Sequence, residues 1–246
     1  MIGWIPAEWP APATIIAGTT TRDGGVSKGS FASLNVGHHT GDEYDEVYVN
    51  RRRLSQSLKL AKPPVWLDQV HGSDVHQPDR DAGERLQADA SVTTTLGLPL
   101  VIMTADCLPV LLCNRDGTEI GAAHGGWRSL VGGILANTIE AMTSPPGDLV
   151  AWLGPAISQP NFEVGAEVRE ACVEVDAELD TCFQENNRGR FQADLYAIAR
   201  QRLRAAGVTD VHGGGYCTYA DDTRFFSYRR EPGCGRMATV IQLPPQ

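Results

Sequence analysis

The sequence predicts a mixed α/β fold, with stacked mixed β-sheets flanked by helices, and three observations carry that expectation. Short, apolar, β-branched runs bounded by Gly, Pro or Asp crowd the first half of the 246 residues, and helical patterns are interspersed in the second half. The alternation between the two is too irregular for a doubly wound sheet or a barrel. Pro, Gly and Ser occur as short punctuation, with no linker-length tract and no internal repeat, so residues 1–246 read as one domain.

The elements follow in order. ATIIAGTTT (13–21) reads as a strand, and DGGVSKGS after it as a Gly-punctuated loop. Residues 42–60, DEYDEVYVNRRRLSQSLKL, place Val47, Leu54 and Leu58 at helical spacing, with acids in the first turn as the helix dipole prefers; RRR at 51–53 reads as its solvated face. VWLDQVH (65–71), LPLVIM (98–103), LPVLLC (108–113) and EIGAAH (119–124) are four further strands. Helical patterns cover 128–142, 165–183 and 194–206, the last stopped by Gly207, and MATVIQL closes the chain as a strand.

Composition removes several function classes. With 21 basic and 30 acidic residues the net charge is −9, which opposes a phosphate backbone and excludes nucleic acid as a first partner. No uncharged apolar run approaches the roughly 18 residues of a membrane span. The start, MIGWIPAEWPAPATIIAG, lacks the basic and unbroken apolar stretches of an export signal, so a soluble cytoplasmic protein is expected, as a monomer or small homo-oligomer. In that compartment the six cysteines are expected as free thiols or metal ligands, and none stands in a CxxC pair.

The chemistry concentrates in TADCLPVLLCNRDGTEIGAAHGGW. If LPVLLC and EIGAAH form an antiparallel hairpin turning at NRDGT, Cys107, just before the first strand, and His124, ending the second, meet at one rim. His71, followed by Gly72 at the end of VWLDQV, is a third candidate. Two imidazoles and a thiolate suit zinc, and three protein ligands leave a fourth position open. The same residues equally suit a Cys107 nucleophile with His124 or His71 as base and Asp106 or Asp68 orienting the imidazole.

Several motifs in fixed order resemble the YfiH family, also called the laccase-domain or multicopper polyphenol oxidase-like family and described as purine nucleoside phosphorylases. They are HGSDV at 71, ADASVTTTLGLPLVIMTADCLPVLL at 88, AAHGGWR at 122, LGPAI at 153, FEVGAEV at 162, the DLYAIARQRL helix and FFSYRR at 225. The resemblance implies a single catalytic domain over 1–246 with a zinc site built from His71, Cys107 and His124. It also implies phosphorolysis of adenosine, inosine, guanosine and methylthioadenosine, with deamination of adenosine. Gly125 departs from the family's commoner AHAGW and keeps a small residue there.

A multicopper oxidase needs paired histidines around a trinuclear cluster; this chain has six histidines and no His-x-His pair, so copper in the same ligands is expected only adventitiously. The alternatives to the phosphorylase are an amidase or cysteine-type hydrolase editing cell-wall peptidoglycan precursors, and a binding module with structural zinc. Candidates for holding phosphate are Arg22 with the DGGVSKGS amides, Arg128, and Arg229 or Arg230. Ser33 and Asn35 are candidates for touching the nucleoside, or else form an Asx or Ser turn. Asp106 is the candidate proton shuttle of deamination. Phe225, Phe226 and Tyr228 either stack on a purine or form the core face of a strand, and His38 and His39 read as the end of a loop.

Overall fold

The computed structural model describes residues 1–78 and 87–245. In chain order its strands are β1 (Trp4–Pro6), β2 (Ile16–Thr20), β3 (Val65–Trp66), β4 (Val75–His76), β5 (Ala90–Thr93), β6 (Pro99–Thr104), β7 (Leu108–Asn114), β8 (Ile120–Gly125), β9 (Leu149–Leu153), β10 (Glu163–Val164), β11 (Phe183–Glu185), β12 (Phe191–Ala193), β13 (Asp210–Gly213) and β14 (Met237–Gln242). The α-helices are α1 (Tyr44–Ser57), α2 (Trp127–Val131), α3 (Ile134–Ala141), α4 (Ala166–Val175) and α5 (Leu195–Ala205). A five-stranded sheet runs β1-β2-β14-β6-β3, a six-stranded sheet β13-β9-β7-β8-β5-β4, and a small one β10-β12-β11. The two large sheets are mixed, with β3 parallel to β6, β4 to β5 and β13 to β9.

Side-chain alternation explains the layering. Successive residues of a strand point to opposite faces, so Leu100 and Ile102 of β6 meet Leu111 and Cys113 of β7 and Ile120 of β8 between the two large sheets. Val101 and Met103 face the other way, with Leu54 of α1 and Trp66. On the far face of the six-stranded sheet, Val110, Leu112 and Ala123 pack against Leu130, Ile134, Ile198 and Leu203 of the helices. The order is thus helix, sheet, sheet, helices. Each fully buried Leu or Ile contributes roughly 1.5–3 kcal/mol. No helix among the described residues is long and apolar enough to cross a membrane.

Most expected elements form, and the departures have local causes. The pattern at 128–142 splits into α2 and α3 because Gly133 takes φ 89°, a left-handed conformation that ends one helix before the next begins. The pattern at 165–183 leaves α geometry at Val175 and continues as a 3-10 turn over Ala177–Cys182. α5 starts on Asp194, whose carboxylate accepts from Ala197 N at 3.0 Å, and Gly207 follows its end at φ 90°. β5 and β9 lack a readable strand period because both faces are covered, leaving only short apolar runs. RRR is not one solvated face. Arg51 donates to Val36 O at 2.8 Å and stacks 3.8 Å over the Trp66 ring, while Arg53 donates to the carbonyls of Gly24 and Gly25. FFSYRR is not a strand either: Phe225 and Phe226 are both buried, which strand alternation onto a single core face does not allow.

Candidate metal centre and its cavity

The β7–β8 register pairs Leu108 with Gly125 and Pro109 with His124, so Cys107 leaves the ladder one residue before its end, on the rim that carries His124. His71 arrives from the loop after β3. Its approach is fixed by Gln69, whose amide accepts from Met103 N at 2.8 Å and donates to Met103 O at 2.9 Å, pinning the loop to β6 like a further strand. The three ligand atoms of His71, Cys107 and His124 lie within 4.8 Å of one another, with Cys107 Sγ 3.7 Å from His71 Nε2.

His71 and Asp106, both beside ligand positions, adopt positive φ values of 61° and 91°. A left-handed backbone costs a non-glycine residue roughly 1–3 kcal/mol and persists only where surrounding contacts impose it. At His71 the imposing group is Asp89, fully buried and absent from the sequence reading. Its carboxylate accepts from the backbone N–H groups of Val70, His71 and Gly72 at 3.1, 3.0 and 2.7 Å. It also sits 2.8 Å from His124 Nδ1, which orients that ring and leaves Nε2 as its other donor atom. One carboxylate therefore sets two of the three ligands, the arrangement usual around metal-binding histidines.

The electrostatics match a cation site. Burial alone pushes the Cys107 thiol up, but His124 and His71 outweigh it and bring the pKa down to about 6, favouring thiolate near neutrality. Burial pulls His124 down, yet the Cys107 thiolate and Asp89 raise it to about 9. The pair thus holds one proton between negative groups, where a divalent cation fits in its place.

Gly126 closes over the same point. A Cβ there would stand 2.8 Å from His71 Cδ2 and 3.4 Å from Cys107 Sγ, although φ −65° and ψ 153° suit any residue. Gly126→Ala is therefore expected to fold normally while displacing His71. The effect should be weaker metal binding by roughly 10- to 100-fold, as for other disturbances just outside a ligand set, read by competition with a chromophoric chelator.

The triad opens onto a cavity of about 560 Å³, within the usual range for small-molecule sites. Arg128 and Arg229 border it, as does Arg236, which the sequence reading missed. The Arg128 guanidinium lies 4.4 Å over the Trp127 ring; Arg229 lies 5.3 Å over Phe162 and donates to Glu163 O. Tyr228, half-exposed, joins Trp127 and Phe162 on the wall.

Asp106 is on the wall too, but its oxygens accept from Thr218 Oγ1 at 2.7 Å, Ser227 Oγ at 3.0 Å and Arg229 N at 2.7 Å. It ties the ligand loop to the 218 and 225–230 segments. Arg22, Ser33 and Asn35 lie off the cavity. Arg22 donates to the carbonyls of Ala32 and Asp222, and Ser33 Oγ accepts from Gly25 N and donates to Arg22 O. Asn35 is buried among Gly37, Thr40, Asp42 and the Arg236 amide, the Asx-turn outcome. Arg230 spends its guanidinium on the carbonyls of Thr218, Tyr219 and Phe225. All six cysteines are free.

Stacked mixed sheets carrying a His–Cys–His donor set at the base of an arginine- and aromatic-lined cavity define a class of α/β protein with one candidate metal centre among the described residues. The chain belongs to the family described as multi-copper polyphenol oxidoreductase laccase, whose model matches residues 16–244. A Pseudomonas aeruginosa protein named purine nucleoside phosphorylase is 50% identical over 99% of both chains. The Escherichia coli purine nucleoside phosphorylase YfiH is 48% identical over 97% of this chain and 98% of its own. Among solved structures, a Neisseria meningitidis protein of the DUF152 family superposes with a TM-score of 0.95 at 47% identity, covering 98% of this chain and 99% of that one. YlmD from Geobacillus stearothermophilus superposes at 0.89 with 33% identity, covering 98% and 96%.

Proposed function

We propose that the protein is a zinc-dependent purine nucleoside phosphorylase acting on adenosine, inosine, guanosine and methylthioadenosine, with deamination of adenosine as a second reaction of the same centre. The observation that carries this reading is the meeting, on one cavity, of a thiolate–imidazole donor set with arginines and aromatic rings. Relatives named purine nucleoside phosphorylase, matching nearly the whole chain, support it.

The donor set fits zinc: one thiolate, two imidazoles, and a buried carboxylate orienting one of them. Bound there, zinc supplies a Lewis acid with an open coordination position. The residues do the rest. The Arg128 guanidinium makes no hydrogen bond to any described residue, so its donors are available to a phosphate oxygen, and Arg229 adds charge from the Asp106-anchored loop. Trp127, Phe162 and Tyr228 offer faces for the purine. The positive charge of Arg128 and Arg229 binds phosphate and orients its attacking oxygen toward the ribose. For deamination Asp106 is the carboxylate on the wall, but three donors already occupy it, and the geometry favours a positioning part.

A second reading draws on the line Cys107–His124–Asp89, which is also the arrangement of a thiol hydrolase, here one that edits cell-wall precursor amides. Elemental analysis with inosine turnover, with and without phosphate, separates the two. The expected result is about one zinc per chain, as for a single three-ligand catalytic site, and free base plus ribose 1-phosphate only when phosphate is present. Phosphate-independent inertness toward inosine, with cleavage of a muramyl peptide that thiol alkylation blocks and a chelator does not, would put the hydrolase first.

A further inference from the structure

By sequence His39 ends a loop, and its surroundings give it more to do. It lies in the 3-10 turn His38–Thr40 and borders the cavity that holds the metal triad. The turn is fixed from below by Asn35, whose amide donates to Thr40 Oγ1 and Asp42 Oδ2 and accepts from Gly37 N. The ring itself is uncommitted. Neither nitrogen hydrogen-bonds a described residue, whereas His124 is engaged by Asp89 and His71 by the thiol.

Among the described residues, the charged and titratable groups acting on His39 are Arg236, Arg51, Asp68 and His38. The residue is exposed, yet partial desolvation first, then the Arg236 and Arg51 guanidiniums, hold its pKa below the ordinary value, and Asp68 offsets only part of this. Arg51 is locked by Val36 O and the Trp66 ring, and Arg236 by the carbonyls of Cys234 and Gly235, so both cations are fixed in place. Near neutrality the imidazole is uncharged, with one nitrogen that accepts and one that donates.

Phosphorolysis, the reading on which this inference rests, has a matching proton balance. A hydrogen phosphate oxygen forms the bond to ribose C1′ and its hydroxyl proton is lost. The N9–C1′ bond breaks, its electron pair leaves with the purine, and the purine needs one proton. We propose that His39 is a catalytic residue that carries this proton, its bare nitrogen accepting from the phosphate hydroxyl while the opposite N–H donates to the departing base. The ring ends as the other neutral tautomer, and no outside acid or base is consumed. Arg236 beside it spends only Nη1 on the carbonyls of Cys234 and Gly235 and keeps its other donors for the phosphate.

The test uses the zinc-loaded full chain with inosine and phosphate, comparing wild type, His39→Gln, His39→Ala and Arg236→Gln. General acid–base groups contribute on the order of 100- to 10,000-fold, so kcat should fall by at least about 100-fold in both His39 variants. KM for inosine and zinc content should stay near wild type. Added imidazole should restore turnover to His39→Ala. The acid limb of the kcat profile, where His39 gains a proton and stops accepting, should vanish in His39→Gln. In Arg236→Gln it should move to higher pH, because loss of the cation lets His39 protonate more readily. His39→Gln retaining kcat and its acid limb, or His39→Ala losing kcat without imidazole rescue, would overturn the assignment and leave the phosphorylase reading standing. A wild type that releases no base in response to phosphate would overturn that reading, and this role with it.

Discussion

The Cys107→Ser protein is expected to lose metal and turnover together. A serine hydroxyl is a far poorer zinc donor than a thiolate, and this thiolate is favoured near neutrality by the two imidazoles, an advantage serine does not inherit. His71→Ala and His124→Ala should do the same, since each removes one of three donors grouped within 4.8 Å. Elemental analysis and phosphate-dependent release of base from inosine are the two readouts. A nucleophile role predicts a different pattern: alkylation blocks the wild type while a chelator leaves it active. Retention of zinc and full phosphorolysis by Cys107→Ser would remove the three-ligand site altogether.

Asp89→Asn is the isosteric change with the next largest consequence. Oδ1 of Asp89 faces His71 N and His124 Nδ1, and Oδ2 faces Val70 N and Gly72 N, so either placement of an amide NH2 sets a donor against two donors. Leaving such buried groups unsatisfied costs roughly 1–3 kcal/mol each, and the His71 turn depends on the same bonds. Thermal unfolding should therefore shift down markedly, and zinc affinity should fall by roughly 10- to 100-fold as His124 loses its orienting partner.

The pH dependence has a definite sign. Burial pushes Asp89 up, but the His124 hydrogen bond and the Gly72 and Val70 amides outweigh it, so the folded pKa lies below the ordinary carboxylate value. A depressed carboxylate contributes stability that is present above the unfolded pKa, near 3.9, and is lost as pH falls through the lower folded value. Wild type should lose this contribution on acidification below about pH 4, and Asp89→Asn should lack it throughout. Equal acid sensitivity of the two proteins would show that Asp89 is not what holds the loop.

Much of this site was legible because its parts are local. Cys107 and His124 bracket one hairpin with a turn of recognisable composition, so strand length alone carries them to a shared rim. Asp89 was not legible, since its partners stand 18 and 35 residues away and it looks like any acid entering an apolar run. Ser33 and Asn35, open between nucleoside contact and a turn by sequence, take the turn alternative for the converse reason. Their polar groups are spent within the 22–42 loop and on the Arg236 amide, bonds that residue type does not reveal. His39 and Arg236, nearly two hundred residues apart in sequence, share a cavity wall because Val36 N donates to Arg236 O and Arg236 N donates to Asn35 Oδ1, which ties the segment before His39 to the start of β14.

By itself the sequence determined the mixed α/β class, most of the long helices and apolar strands, and the donor types of the candidate metal centre, because each rests on periodicity, short-range spacing or residue type. Only the tertiary structure decided which arginines keep their donors for a ligand, which carboxylate holds the histidines, and which of the eye-catching residues face the cavity. The reason is physical: a hydrogen bond or a cavity wall is made by groups that meet across sheets, and which groups meet is set by strand order and register, to which the local pattern of a single strand carries no pointer.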